Sequence, residues 1–306
     1  MSKNLYKYQR TLNKKIYFSG IGLHTGVTTN MIVYPGLENS GISFKRIDLD
    51  ENIIIEASID NVVETNRGTT IGKDNCKIFT VEHFLSALSG LGIDNALIEI
   101  DNIEPPIFDG SSKFFIDEIL KVGIEKYTSE KKYINITEKI NYIDDYCRME
   151  ILPYKKSKIS YYADFSYGNI GNQSYVYSYP NNYIDEISKA RTFCSVKELI
   201  SLKKRGLIKG ANLNSGIVFL DDTIDKEDLN NILNEFSIGV NSTLNDNNTL
   251  NNLPLRFTNE PIRHKILDLI GDFSLLGIGI KGHIISYGGG HFSNVQLMKK
   301  VKNIYG

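Results

Sequence analysis

Short β-rich segments occur in two runs along the chain, and each run is followed by helical patterns. The first run and its helices occupy about the first 125 residues, and the alternation begins again after the polar stretch EKYTSEKKY (125–133), which we interpret as a linker. Runs of strands followed by separate helices are typical of an α+β fold and not of a doubly wound parallel sheet. The similar order of elements in the two halves indicates a duplicated architecture.

The composition argues against several classes of function. The 306 residues include 35 basic and 36 acidic side chains, and no basic block marks a surface for nucleic acid or membrane. The beginning of the chain lacks the apolar core of a secretory signal, and no segment reaches the roughly 18 to 20 apolar residues of a membrane-spanning helix. Three scattered cysteines without CxxC spacing indicate neither disulfides nor a thiolate metal site. We therefore expect a cytoplasmic protein.

One of only five histidines, His83, follows Glu82 in a predicted helix for which Thr80 would be the N-cap. Both side chains point away from an apolar stripe formed by Val81, Phe84, Leu85 and Leu88. The neighbours of His83 on its own face are small and would allow a close approach: Ser86, Ala87, Ser89 and Gly90. From this helix alone, a surface Glu-His pair is the alternative interpretation.

A second helix is predicted from Pro261, and His264, Asp268 and Asp272 follow one another along one of its faces. A histidine and a carboxylate four residues apart can bind one metal ion through nitrogen and oxygen. Gly271 thins the helix near this face and could admit a ligand. The alternative is a His-Asp salt bridge on a solvated face.

Three glycines precede His291, and a strand that ends in them could bring the imidazole ring into a crowded site. The segment does not match a phosphate-binding glycine loop, because no lysine follows the glycines. A flexible turn with an incidental histidine is the alternative. His24 also lies in a glycine-flanked turn and is ambiguous by itself.

Seven blocks of sequence together resemble the UDP-3-O-acyl-N-acetylglucosamine deacetylases of lipid A biosynthesis, in order and over nearly the whole chain. The blocks are SGIGLHTG (19–26), TVEHFLSALSGLGIDNALIEI (80–100), PPIFDGSS (105–112), ARTFC (190–194), RGLIKG (205–210), RHKILDLIGDF (263–273) and GGH (289–291). The chain departs from the family pattern at Ser195, which replaces an aromatic residue, and at 164–169, which lacks the family's HP step. The stretch 222–254 is also longer than is usual.

The resemblance implies a fold of two similar α+β domains, each a two-layer sandwich of a β-sheet packed on a helix pair, with the active site between them. The domains would be 1–127, which contributes Glu82 and His83, and 128–306, which contributes the other metal and acid-base residues. An insert at about 190–220 would form an apolar passage for an acyl chain. The Asn-rich segment 241–252 is assigned no chemistry.

The resemblance also implies roles for individual residues. The ligands of a Zn²⁺ ion would be His83, His264 and Asp268. The catalytic residues would be Glu82 as general base, His291 as cationic acid, Asp272 as its carboxylate partner and Thr192 as the hydroxyl that stabilises the oxyanion. The substrate would be bound by Lys265, Phe193, His24 and Phe165.

The implied activity is zinc-dependent removal of the N-acetyl group from UDP-3-O-(3-hydroxyacyl)-N-acetylglucosamine, the committed step of lipid A biosynthesis. The expected partner is this acylated UDP-sugar, with no nucleic acid and at most peripheral contact with the inner membrane. We expect a monomer. Two alternatives stay open: a metal-free nucleotide-binding or regulatory module on the same fold, and a zinc amidase with another substrate.

Overall fold

The computed structural model describes residues 6–50, 53–166, 170–221, 226–235, 248–250 and 253–306. Its strands are β1 (Tyr8–Leu12), β2 (Ile16–Ile21), β3 (Thr28–Pro35), β4 (Ile42–Arg46), β5 (Ile54–Glu56), β6 (Val62–Glu64), β7 (Thr70–Lys73), β8 (Cys76–Ile78), β9 (Ala96–Ile100), β10 (Ile124–Glu130), β11 (Tyr133–Asn135), β12 (Ile140–Ile143), β13 (Arg148–Leu152), β14 (Ser157–Phe165), β15 (Gly171–Tyr177), β16 (Phe193–Ser195), β17 (Ile217–Phe219) and β18 (Gly279–Tyr287). Its α-helices are α1 (Glu82–Leu91), α2 (Lys113–Val122), α3 (Tyr183–Glu186), α4 (Val196–Lys204), α5 (Lys226–Glu235), α6 (Glu260–Ser274) and α7 (His291–Tyr305).

The two large sheets have the same internal pattern. The N-terminal sheet has the order β2-β3-β9-β4-β5, and its only parallel pair is β9 with β4. The C-terminal sheet has the order β12-β13-β18-β14-β15, and the corresponding pair, β18 with β14, is again parallel. A sixth strand, β11, also pairs in parallel with β18. The predicted α+β class and the similarity of the two halves are confirmed.

Each large sheet is covered by two helices, α1 and α2 in the N-terminal half and α6 and α7 in the C-terminal half. Alternation along the strands explains this arrangement, because every second residue of β9 is fully buried (Ala96, Ile98 and Ile100). By position in the pattern, α1 corresponds to α6 and α2 to α7. The helix-pair architecture that the resemblance implies is therefore present in both halves.

Helices α1 and α6 pack directly against each other through the faces that carry the predicted site residues. A Cβ atom on Gly271 would lie 2.1 Å from the carbonyl oxygen of Glu82, and the Ser86 hydroxyl donates to the Leu267 carbonyl at 2.8 Å. The expectation that Gly271 makes room for a ligand was therefore wrong, because the backbone of α1 occupies the space beside this glycine. The exposed-surface alternatives are also wrong, because His83, His264 and Asp268 are all buried.

Two local predictions from the sequence were wrong. The stretch 125–133 is not a linker, because most of it forms β10, which pairs antiparallel with β1. Thr80 is not an N-cap, because it has a positive φ of 53° and α1 begins only at Glu82. The Thr80 hydroxyl instead donates to Glu104 Oε1 at 2.9 Å. The domain boundary after residue 127 falls within β10 and stays a prediction.

The segment between β15 and α6 forms a small subdomain with its own hydrophobic cluster. Strands β16 and β17 pair in parallel, and α4 and α5 contribute to a cluster of Val196, Leu199, Leu202, Ile208, Leu220, Ile232 and Leu250. Ser195 caps α4 by accepting a hydrogen bond from the Glu198 N–H at 3.1 Å. Most of the Asn-rich segment 241–252 lies outside the described residues. No helix in the described part of the chain is long and apolar enough to cross a membrane.

A buried ion pair attaches this subdomain to α6. Removing one partner of this pair is expected to destabilise the protein. Arg191 donates to both carboxylate oxygens of Glu260, at 2.8 and 3.0 Å, and Glu260 is fully buried. Glu260→Ala would leave a buried guanidinium without its partner, at a cost of about 3–5 kcal/mol in the free energy of unfolding. Urea unfolding measures this, with Asp117→Ala, which breaks an exposed pair with Lys113, as the control. A loss no larger than that of the control would contradict the prediction.

Candidate metal centre and active site

Three donor side chains converge where α1 meets α6. Among the residues that the structure describes, His83, His264 and Asp268 form a buried group whose ligand atoms all lie within 4.8 Å of one another. His83 Nε2 is 3.5 Å from Asp268 Oδ1, and His264 Nε2 is 3.2 Å from the same oxygen. One ligand comes from the N-terminal half and two from the C-terminal half.

The hydrogen bonds of His264 and Asp268 leave one atom of each side chain available to bind a metal ion. His264 Nδ1 lies 3.0 Å from the Ala190 carbonyl, which can only accept, so Nδ1 carries the proton and Nε2 keeps its lone pair. Asp268 Oδ2 accepts from Lys265 Nζ at 2.8 Å, whereas Oδ1 is buried without a close hydrogen-bond donor. A buried carboxylate oxygen in this state is suited to binding a cation.

The group fits a zinc ion. Nitrogen and oxygen ligands lie about 2.0–2.2 Å from zinc, so two ligands of a tetrahedral ion are roughly 3.4 Å apart. The separations of 3.2 and 3.5 Å agree with this. Two histidines and one carboxylate are also a ligand set of catalytic zinc sites, which leave one position open.

A second cluster, beside the metal ligands, joins Glu82 to the pair formed by Asp272 and His291. His291 Nδ1 lies 2.9 Å from Asp272 Oδ2, and His291 Nε2 lies 3.9 Å from Glu82 Oε1. His291 is the first residue of α7 and lies three residues after Gly288, whose φ of 71° turns the chain after β18. The predicted delivery of His291 by the glycine segment is therefore observed, with the ring held at a helix start.

The charges in the site follow from burial and from the neighbouring groups. Burial raises the pKa of Glu82 above its ordinary value. Burial alone would lower the pKa of His291, but the Asp272 and Glu82 carboxylates outweigh it and raise that pKa to about 9. Burial lowers the pKa of His264 to about 3, which keeps this ligand neutral. Burial opposes ionisation of Asp268, yet the His264 and Lys265 side chains hold the pKa of its carboxyl well below its usual range.

A cavity of about 340 Å³ is lined by residues of both clusters and by residues of the subdomain. Every predicted site residue except Asp272 lines it: His24, Glu82, His83, Phe165, Thr192, Phe193, His264, Lys265, Asp268 and His291. Asp272 lies behind His291. The lining residues from the subdomain are mostly apolar, and we call the part of the cavity that they border the apolar chamber: Leu199, Leu202, Ile208, Ala211, Leu213 and Val218. The geometry thus places a polar centre at one end of an apolar chamber.

Three further residues shape the site and were not predicted from the sequence. Glu104 is fully buried and accepts hydrogen bonds from the N–H groups of His24 and Thr25, which holds the loop that carries His24. Asn294 donates to Asp272 Oδ2 at 2.8 Å. Thr69 contacts Glu82 and Asp272 together. These contacts join buried residues that are distant in the sequence, and the sequence does not indicate which of them lie side by side.

Comparison with known proteins identifies the family. A family model described as UDP-3-O-acyl N-acetylglycosamine deacetylase matches residues 9–238 and 237–303. The chain belongs to this family. It is 36% identical over 301 residues to the UDP-3-O-acyl-N-acetylglucosamine deacetylase of Trichormus variabilis, and the match covers 96% of this chain and 98% of that protein. A deacetylase of the same name from Acidithiobacillus ferrooxidans is 36% identical, over 95% of this chain and 88% of its own length.

Other relatives of the chain are longer. The chain is 38% identical over 301 residues to a protein of Chlorobaculum tepidum named bifunctional enzyme LpxC/FabZ. That match covers 96% of this chain but 64% of the relative. The chain therefore spans less than two thirds of the length of the bifunctional relatives.

Proposed function

We propose that this protein is a zinc-dependent deacetylase that hydrolyses the N-acetyl group of UDP-3-O-(3-hydroxyacyl)-N-acetylglucosamine, giving acetate and UDP-3-O-acyl-glucosamine, the committed step of lipid A biosynthesis. The observation that carries the proposal is the convergence of His83, His264 and Asp268 beside Glu82 and His291, in a cavity with an apolar extension. Membership of the deacetylase family supports the same substrate.

His83, His264 and Asp268 would hold the zinc ion, which when bound polarises the amide carbonyl and lowers the pKa of a water molecule toward about 7. Glu82 then takes the proton of the attacking water. Its raised pKa suits a base that must later release this proton. Because its backbone neighbour is the ligand His83, the carboxylate is fixed next to the reacting carbonyl.

His291 is the proposed acid for the leaving amine. With its pKa raised to about 9, the ring is protonated at neutral pH and can place positive charge near the developing oxyanion. His291 then transfers the proton on Nε2 to the amine nitrogen as the C–N bond breaks, while Nδ1 stays hydrogen-bonded to Asp272. Thr192 lines the same cavity, and we assign its hydroxyl to the oxyanion.

The remaining cavity residues would bind the two ends of the substrate. Phe193 packs edge to face on Phe165, with ring centroids 5.3 Å apart, and both line the cavity. Lys265 uses one donor on Asp268 and has two more for a substrate oxygen, which fits the diphosphate. His24 also lines the cavity, and burial lowers the pKa of its ring. The apolar chamber would take the acyl chain.

The direct test is mass-spectrometric detection of acetyl loss from UDP-3-O-acyl-N-acetylglucosamine, with the full chain loaded with zinc and acyl chains of several lengths. We expect turnover whose rate depends on the length of the acyl chain. Bound zinc with no turnover on any chain length would favour an amidase with another substrate. A folded protein that binds no zinc would favour the metal-free module. Either result would overturn the proposal.

The pH dependence of kcat/KM should show an alkaline limb that belongs to His291. Because this residue acts in its protonated form, activity is expected to fall as the pH rises through about 9. Asp272→Asn removes the adjacent carboxylate, so the limb should move to lower pH by roughly one to three pH units. A pH–rate profile of both proteins measures this, and an unmoved limb would exclude His291 as its origin.

Enlarging a wall residue of the chamber should discriminate between acyl chains. Ala211 lines the cavity, and Ala211→Phe would fill part of the acyl space. We expect about a tenfold or larger rise in KM for long-chain substrates and little change for the shortest. Val63→Phe, at an exposed position outside the cavity, is the matched control. An equal effect on all chain lengths would argue against this position for the acyl chain.

We also infer a cytoplasmic monomer that makes at most peripheral contact with the inner membrane to collect its amphiphilic substrate. Tight, salt-resistant flotation with lipid vesicles would count against this location.

A further inference from the structure

Thr69 is the one described residue that hydrogen-bonds directly to both Glu82 and Asp272. Its backbone N–H donates to Glu82 Oε2 at 2.9 Å, and its hydroxyl donates to Asp272 Oδ1 at 2.5 Å. The residue is fully buried and lies immediately before β7 in the N-terminal half. Asp272, by contrast, belongs to α6 in the C-terminal half.

The direction of these bonds follows from the chemistry of the partners. A carboxylate only accepts, so the single hydroxyl proton of Thr69 is committed to Asp272 Oδ1. The other oxygen, Oδ2, accepts from His291 Nδ1 at 2.9 Å and from Asn294 at 2.8 Å. Thr69 Oγ1 is also 3.3 Å from His291 Nδ1. Hydrogen bonds to both oxygens therefore hold the Asp272 carboxylate in this orientation.

We propose that Thr69 is a positioning residue that sets the separation between the general base Glu82 and the acid pair of Asp272 and His291. This inference rests on the proposed function, because it assigns Thr69 a role in that reaction. Glu82 is carried by α1, whereas Asp272 and His291 are carried by α6 and α7, so the base and the acid belong to different halves. The packing of α1 on α6 sets the distance between the two backbones, and Thr69 adds a direct hydrogen bond to each of the two carboxylate side chains.

The spacing matters because both groups must reach the same amide. Glu82 Oε1 and His291 Nε2 are 3.9 Å apart and face the cavity that contains the metal ligands. Errors of about 1 Å in the placement of reacting groups can lower rates roughly a hundredfold. A rotation of the Asp272 carboxylate would turn the His291 ring with it. The loss should therefore appear in kcat and not in substrate binding.

Thr69→Val separates the two bonds of Thr69, since it removes the hydroxyl and keeps the backbone N–H to Glu82. We expect kcat to fall about 10- to 100-fold, with KM and zinc content nearly unchanged. Thr69→Ser keeps a hydroxyl and should recover most of this loss. Thr29→Val is the matched control, because it removes a buried hydroxyl that has no hydrogen-bond partner among the described residues. If Thr69→Val is unfolded by circular dichroism, Thr69→Ala takes its place.

A double-mutant cycle distinguishes positioning through Asp272 from a merely structural contribution. If Thr69 acts through Asp272, Thr69→Val should cost little further kcat in an Asp272→Ala background, in which position 272 can no longer bond to the Thr69 hydroxyl. Additive losses, or a Thr69→Val enzyme with the kcat of the parent, would overturn the proposal. Absence of deacetylation by the parent chain would instead refute the proposed function, so the two failures are distinguishable.

Discussion

Replacement of Glu82 by glutamine is expected to lower kcat by about 10²- to 10⁴-fold while the protein keeps its zinc, the range typical of a lost general base. Glutamine has nearly the same shape, and its carbonyl oxygen can still accept the N–H of Thr69, which now donates to Glu82 Oε2. It cannot, however, take the proton of the attacking water. The Glu82→Gln variant should therefore keep the geometry of the site but lose the proton transfer from water.

The measurement is kcat together with zinc content for the parent and the variant. Glu64→Gln is a suitable control, because Glu64 is an exposed carboxylate on β6 in the same half of the protein. If zinc-loaded Glu82→Gln retained more than about a tenth of the parent kcat, Glu82 could not be the principal base.

Replacement of His264 by alanine is expected to remove both the bound zinc and the activity. His264 Nε2 is oriented by the bond from Nδ1 to the Ala190 carbonyl, so the ligand is rigid before metal binds. Without it, His83 and Asp268 offer two ligands where a catalytic zinc site has three. After dialysis we expect zinc to fall from about one per chain to a small fraction of this, because two ligands hold zinc far more weakly.

Zinc content measured by mass spectrometry gives this result without relying on activity. His283→Ala is the matched histidine control: His283 lies on β18, bonds to Ser160 Oγ at 2.8 Å and is not among the residues that line the cavity. A His264→Ala protein that kept a full equivalent of zinc would show that the metal binds elsewhere.

Much of the site could be predicted because its residues are rare and regularly spaced. His264, Asp268 and Asp272 had to share a face of one helix, whatever that helix packs on, since a four-residue spacing is close to one turn. Glu82 and His83 likewise had to leave the apolar stripe of α1. The blocks of family sequence then indicated which of these pairs belong to one site.

The environment of those faces could not be predicted in the same way. A polar face opposite an apolar stripe is usually exposed, and this exposed arrangement was the alternative interpretation for both helices. In the structure the two polar faces cover each other, because Ser86 and Gly271 let the backbones approach closely. Burial is a property of the pair of helices, and neither helix sequence alone carries it.

Local sequence determined the two-fold run of strands and helices, the faces of α1 and α6 and the identity of the candidate ligands, because each depends on periodicity within a short segment. Tertiary structure alone decided that α1 and α6 meet, that β10 pairs with β1 where a linker was expected, and that Thr69 bonds to groups from both halves. These contacts join residues as far apart as Thr69 and Asp272, and their energy depends on burial and distance, which the linear pattern does not contain.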